Sequence, residues 1–261
     1  MTGNPQIDAP ATTAFRFDGL TKHYGELTAV DAVDLAIPAG SFFGLVGPNG
    51  AGKTTLISMA VGLIRPDRGT SQVHGRDLWR DPIVTKSALG ILLEGEMLPR
   101  RLTGSELLNY VGLLRGLAAD TVTERTDEVL AALDLTRAAD VVVADYSTGM
   151  RKKIALAVAL LHGPSILVLD EPFEAVDPVS AATIRSILNS FVATGGTVLF
   201  SSHVMPLVEM LCDHVAVLDA GRVVAQGPID EVRRGRSLDE AFSELVGSAE
   251  RTPGALSWFA S

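Results

Sequence analysis

Cysteine is nearly absent from this chain. Cys212 is the one cysteine in 261 residues, so no intrachain disulfide can form, and a reducing compartment is the simplest setting. Long apolar runs are missing too. The longest uninterrupted one, residues 154–161, falls far short of the ~20 residues needed to cross a bilayer. Residues 1–14 carry Pro5 and Pro10 but no basic cluster and no apolar core, and so are not expected to be a signal peptide. Basic charge is in deficit: 22 Lys and Arg against 31 Asp and Glu leave a net charge of −9, which argues against a nucleic-acid partner. What is present is a globular composition, 47% apolar and 20% charged, in a chain long enough for one large domain or two lobes around a shared core.

Residues 1–14 read as a flexible N-terminal tail, small, polar and proline-containing. From Phe15 onward, short apolar runs alternate with Gly, Pro and Asp. Thr28 to Ile37 alternates loosely and ends at a Pro38-Ala39-Gly40 turn. Ser41 to Val46 reads as a strand entering a glycine-rich loop, Thr54 to Ile64 as a helix, and Gly69 to Leu78 as an irregular hairpin. The middle third is helical. Thr103 with Glu106, Thr121 with Glu124 and, later, Ser237 with Glu240 fit capping boxes, in which hydroxyl and carboxylate satisfy amides at a helix start. One helix face carries Leu107, Val111 and Leu114, a second Val129, Leu130 and Leu133, a third Met150, Ile154, Val158 and Leu161. Val141 to Val143 fits strand by period and loop by its flanking aspartates. Ile166 to Leu169 and Thr197 to Phe200 are continuous apolar runs of the kind buried on both faces of a parallel sheet, with a helix over Ser180 to Val192 between them. His214 to Leu218 and Arg222 to Ala225 form a closing hairpin.

Chemistry enters at Gly47-Pro48-Asn49-Gly50-Ala51-Gly52-Lys53-Thr54, followed by Thr55, which fits the phosphate-loop pattern G-x-x-x-x-G-K-[ST] between a strand and a helix. The glycines let backbone amides approach phosphate oxygens, and the helix start adds its dipole. Lys53 places a charge between the β- and γ-phosphates, and Thr54 offers its hydroxyl to Mg²⁺. The apolar strand at Ile166 runs directly into Asp170 and Glu171. Asp170 suits the metal, while Glu171 suits a general base for the attacking water. His203 follows another apolar strand, and parallel strand ends converge on one ligand-binding edge.

With these pieces in this order, residues from Phe15 to Gly247 resemble the nucleotide-binding domain of ATP-binding cassette (ABC) transporters. The deciding match is Tyr146-Ser147-Thr148-Gly149-Met150, which is similar to that family's signature sequence. The resemblance implies an α/β fold of the phosphate-loop ABC ATPase type: a mixed core sheet, an antiparallel β subdomain and a helical subdomain over about 98–161. The domain spans 15–247, with a C-terminal tail at 248–261. It also implies that Tyr24 stacks on adenine and that His203 is the switch histidine. Asp177 is then the residue that touches a second subunit. Ser147, Thr148 and Gly149 reach the γ-phosphate held by that subunit, so that two cassettes, identical or paralogous, sandwich two Mg·ATP.

Two positions depart from the family pattern. Glu94 stands where glutamine is usual, still able to ligate Mg²⁺ but adding negative charge, and Thr148 replaces the usual first glycine of the signature. Neither removes a catalytic group, and the resemblance implies an ATPase using Lys53, Glu171 and His203. The run Glu171-Pro172-Phe173-Glu174 through Asp177-Pro178 and the Ser237 to Phe242 segment resemble bacterial exporters with a separately encoded membrane subunit. The implied partner is a transmembrane permease, with this chain peripheral on the cytoplasmic face of the cell membrane. The alternative is a soluble ABC ATPase in regulation, translation or repair; such proteins carry tandem cassettes or coiled-coil insertions, which this sequence lacks. The Arg151-Lys152-Lys153 cluster reads as a solvated helix start in preference to a contact for acidic lipid or a partner.

Overall fold

A computed structural model describes residues 13–93 and 98–247. Residues 1–12 and 248–261, which hold most of the expected tails, and Glu94 lie outside the described residues. In chain order the elements are β1 (Thr13–Tyr24), β2 (Leu27–Pro38), β3 (Phe42–Val46), α1 (Lys53–Ala60), β4 (Arg68–Val73), β5 (Arg76–Asp77), α2 (Pro82–Ser87) and β6 (Leu89–Leu92). Then follow α3 (Gly104–Leu114), α4 (Ala119–Ala132), α5 (Thr148–Leu160), β7 (Ile166–Leu169), α6 (Pro178–Ala193), β8 (Thr197–Ser202), α7 (Met205–Leu211), β9 (His214–Asp219), β10 (Arg222–Pro228), α8 (Ile229–Arg233) and α9 (Leu238–Leu245). β1 already includes Thr13 and Ala14, which the sequence reading leaves in the tail.

Two sheets result. One is antiparallel, in the order β2-β1-β4-β5; the other is mixed, in the order β10-β9-β3-β8-β7-β6, with every pair parallel except β9 with β10. The two-residue alternation of a strand explains how the mixed sheet feeds two cores at once. Phe42 and Val46, Leu167 and Leu169, and Val198 and Phe200 pack into one core with α3 to α7. Phe43 and Leu45, Ile166 and Val168, and Leu199 point into the other, against α1 and the antiparallel sheet. Strands buried on both faces read as continuous apolar runs for this reason.

The helical region is built from α3, α4 and α5. The capping boxes at Thr103 with Glu106 and at Ser237 with Glu240 are both formed. Thr121 with Glu124 is not one. The helix begins earlier, with Ala118 in extended backbone as its N-cap, so Thr121 is already inside α4 and cannot cap it. Leu114 also departs from its expected face: Leu107 is fully buried, whereas Leu114 is 68% exposed. Val142 makes an isolated bridge to Thr103, and Val143–Asp145 then forms a 3₁₀ turn. The basic cluster is only partly solvated: Arg151 and Lys152 are half-buried and hydrogen-bonded, and Lys153 is buried. Arg151 donates to the Tyr146 carbonyl and to Thr148 Oγ1, and Lys152 donates to the Glu171 carbonyl.

Candidate functional site

Strand register sets the site. Val46 pairs with Ser202 and Leu169 with Phe200, so β3, β7 and β8 end together and deliver Gly47, Asp170 and His203 to one edge. The loop from Gly47 to Gly52 is wedged against both sheets. A Cβ on Gly47 would lie 2.3 Å from the Leu218 carbonyl oxygen of β9, and one on Gly52 would lie 2.2 Å from that of Ala29 in β2. Gly52 also sits at φ +102° as the N-cap of α1. Larger residues would force the loop off its bed. No acidic residue occupies the first turn of α1, so its N-terminal amides and dipole present positive potential.

A cleft of about 720 Å³ opens above this loop, lined by Asn49, Gly50, Gly52, Lys53, Thr54 and Thr55 and, facing them, Tyr24, Glu171 and His203. Gly47, Pro48 and Ala51 shape the loop without forming its wall. Lys53 Nζ donates to the carbonyls of Gly47 at 2.8 Å and Pro48 at 3.3 Å, and stands 4.0 Å from Glu171 Oε1. Tyr24 closes the far side, half-exposed, with the Lys22 ammonium 5.8 Å from its ring centroid.

The two carboxylates differ. Asp170 is fully buried. Its Oδ1 accepts the Ser201 hydroxyl, and among the described residues its Oδ2 has no hydrogen-bond partner. Glu171 is held on every side, with its amide donating to Ser201 Oγ at 2.9 Å. Oε1 lies 3.1 Å from His203 Nδ1, and the carbonyl accepts from Lys152 Nζ at 3.3 Å and from the Glu174 amide at 3.2 Å. Its φ of +46° is an uncommon backbone state for a residue with a side chain.

Ser147, Thr148, Gly149 and Asp177 do not join this cleft. They gather at the starts of α5 and α6. Ser147 Oγ accepts from the Met150 amide at 3.2 Å, and Asp177 Oδ1 accepts from the amides of Ser180 at 2.9 Å and Val179 at 3.0 Å. The Ser180 amide, followed by its hydroxyl, holds the Asp177 carboxyl below the usual carboxylate range. Gly149 is packed so closely that a Cβ there would lie 2.6 Å from Asp177 Oδ2 and from Ser180 Oγ.

The sequence pattern of the ABC transporter family matches residues 30–174, which include the phosphate loop, the signature segment and both carboxylates. The chain belongs to the ABC transporter family. It is 38% identical over 223 residues to the daunorubicin resistance ATP-binding protein DrrA3 of Streptomyces coeruleorubidus, spanning 85% of this chain and 71% of that protein. To the bacitracin transport ATP-binding protein BcrA of Enterococcus faecalis it is 36% identical over 225 residues, 85% of this chain and 72% of the other. A solved ATP-binding subunit of an ABC transporter superposes with a TM-score of 0.83 at 31% identity, over 89% of this chain and 99% of that one. The chain is therefore an ATP-binding, ATP-hydrolysing ABC subunit.

Within this ABC ATPase, sequence reasoning passes over Ser201 and Lys152, both bonded to the carboxylate segment. A hydroxyl in an apolar strand and a lysine in a basic cluster carry no chemical signature of their own. It also misses the second wall of the cleft, where Leu27, Thr28 and Ala29 meet Ala220 and Gly221. These residues come together only because β2 and the β9–β10 turn converge, with Arg222 held by Asp31 at 2.6 Å.

Proposed function

We propose that this chain is the ATP-hydrolysing subunit of an exporter, working as one of a pair of cassettes on a separate membrane-spanning permease. The observation that carries this is the convergence of Lys53, Glu171 and His203 in one cleft above a phosphate loop, in a relative of export ATPases. ATP lies with its base against Tyr24 and its phosphates against the loop amides, and Lys53 takes the charge between the β- and γ-phosphates.

The chain's donor set fits Mg²⁺. Among the described residues no group of three or more His, Cys, Asp or Glu side chains gathers as a cage, and Mg²⁺ needs none, because it keeps waters and uses one or two carboxylates plus phosphates. The buried, unpartnered Asp170 Oδ2 and the exposed Thr54 hydroxyl would hold it. Glu94 is the further candidate ligand. When bound, Mg²⁺ neutralises phosphate charge during transfer.

Glu171 orients the attacking water and accepts its proton. As the water oxygen bonds to the γ-phosphorus, the bond to the bridging oxygen breaks, and ADP and phosphate leave. An ionised Glu171 only accepts, so His203 donates to it through Nδ1 and fixes the orientation of the carboxylate. Ser147, Thr148 and Gly149, outside their own cleft, serve the γ-phosphate of a partner cassette, and Asp177 lies at that same face.

Among the described residues no helix is long and apolar enough to cross a membrane. The chain works peripherally, at the cytoplasmic face. Ile83 and Val84 of α2 and Tyr110, Leu113 and Leu114 of α3 leave exposed apolar surface where those helix ends meet through the Arg115 contact to the Lys86 carbonyl, which suits a permease. The test is capture of the chain from its native membranes in mild detergent. A stoichiometric polypeptide with several spanning segments is expected. A ribosomal or soluble partner alone would overturn the transport reading.

A further inference from the structure

We propose that Ser201 is a positioning residue of the nucleotide site: its hydroxyl locks the Asp170 carboxylate and the Glu171 peptide into one arrangement. This rests on the ATPase reading above and deepens it.

Ser201 lies on β8 after the apolar run Val198-Leu199-Phe200 and is fully buried. A hydroxyl buried there is unfavourable unless it is hydrogen-bonded. Its one donor is used on Asp170 Oδ1, and one lone pair accepts the Glu171 amide at 2.9 Å. The parallel register ends at Leu169 opposite Phe200, so the strand ladder stops just where these two carboxylates begin. The Asp170 amide reaches back to the Leu92 carbonyl of β6, but the Glu171 amide takes a side chain instead. At that residue the backbone enters φ +46°. Ser201 holds the departure point of the chain.

Two consequences follow. With Oδ1 engaged by Ser201, Asp170 is left with Oδ2 as its one unpartnered oxygen among the described residues, so the hydroxyl decides which oxygen is offered to a cation. With its amide pinned, Glu171 also keeps its carboxyl within 3.1 Å of His203 Nδ1 and 4.0 Å of Lys53 Nζ. Without the hydroxyl, the Asp170 carboxylate rotates and the Glu171 peptide relaxes toward negative φ.

The test compares the full chain with Ser201→Ala and Ser201→Thr, with Ser201→Cys as a near-isosteric stand-in should the alanine variant fail to fold. Affinity for a fluorescent ATP analogue is measured with Mg²⁺ and with chelator, alongside kcat, KM and Tm. In chelator, Ser201→Ala should bind the analogue within about twofold of the parent. Its Mg²⁺-dependent gain in affinity and its kcat should fall by about 10–100-fold, the usual cost of removing an outer partner of a metal ligand. KM for Mg·ATP should rise in step with the lost Mg²⁺-dependent affinity, and Ser201→Thr should restore most of both losses. A Ser201→Ala variant with parental kcat and parental Mg²⁺ dependence, changed only in Tm, would overturn the proposal. If the parent itself fails to hydrolyse Mg·ATP, the ATPase reading falls and this proposal with it.

Discussion

His203 meets Glu171 through Nδ1, 3.1 Å from Oε1, and the same carboxylate oxygen stands 4.0 Å from Lys53 Nζ. One oxygen thus receives both the ring that reaches the site from β8 and the charge that reaches it from the phosphate loop. Replacing His203 by alanine removes a donor that orients the carboxylate, not one that binds the base or the loop phosphates. We expect kcat for ATP to fall about 10²-fold or more, with nucleotide affinity changed by only a few fold. Steady-state kinetics beside equilibrium nucleotide binding separates the two. A loss of affinity with kcat unchanged would instead assign His203 to ground-state binding.

Gly149 owes its identity to packing within its own subunit. The atoms that a Cβ would strike, Asp177 Oδ2 and Ser180 Oγ, lie 2.6 Å from it, and Asp177 is held by its capping bonds to α6. Gly149→Ala should therefore cost about 1–3 kcal/mol of stability in urea unfolding. Thr148→Ala, at an exposed position, should stay within about 0.5 kcal/mol. Equal effects from the two would mean that the α5–α6 contact yields freely.

Two histidines predict acid sensitivity. Burial, then the Arg115 charge and a weaker Arg125 charge, pull His162 below its ordinary pKa, against the opposing Leu89 carbonyl bond; burial alone lowers His74. Leu89 O can only accept, at 3.0 Å, so His162 Nε2 carries the hydrogen and the buried Nδ1 has no partner among the described residues. The unfolded chain takes up protons near pH 6.5, while the native chain resists until a lower pH. Stability is therefore complete above about 6.5 and declines as pH falls below it. Denaturant unfolding at pH 7.5 and 5.5 should show this loss, and His162→Gln, which keeps a donor for Leu89, should reduce it. An unchanged pH slope in that variant would contradict the assignment.

Much of this was legible in the sequence where one signal acts locally. β7 throughout and β8 over Val198 to Phe200 are apolar because both faces are buried, and Gly47 to Thr54 carries its geometry in its spacing. The false capping box at Thr121 shows the limit. The pattern names residue types, but only the backbone at Ala118 decides where the turn begins. Lys152 was beyond reach for another reason: its bond to the Glu171 carbonyl spans 19 residues and depends on how α5 lies across the sheet edge. Ser201 combines both difficulties, a common residue in an apolar strand whose meaning comes from the neighbouring strand's end.

The most direct test is to compare the parent with Glu171→Gln in Mg·ATP, following both turnover and oligomeric state. Glutamine keeps the shape but cannot take the proton from water. The account predicts that the parent turns over ATP, whereas the variant binds ATP with parental affinity, hydrolyses it at least about 10²-fold more slowly, and accumulates as an ATP-bound dimer. A Glu171→Gln protein that hydrolyses ATP at the parental rate would contradict it.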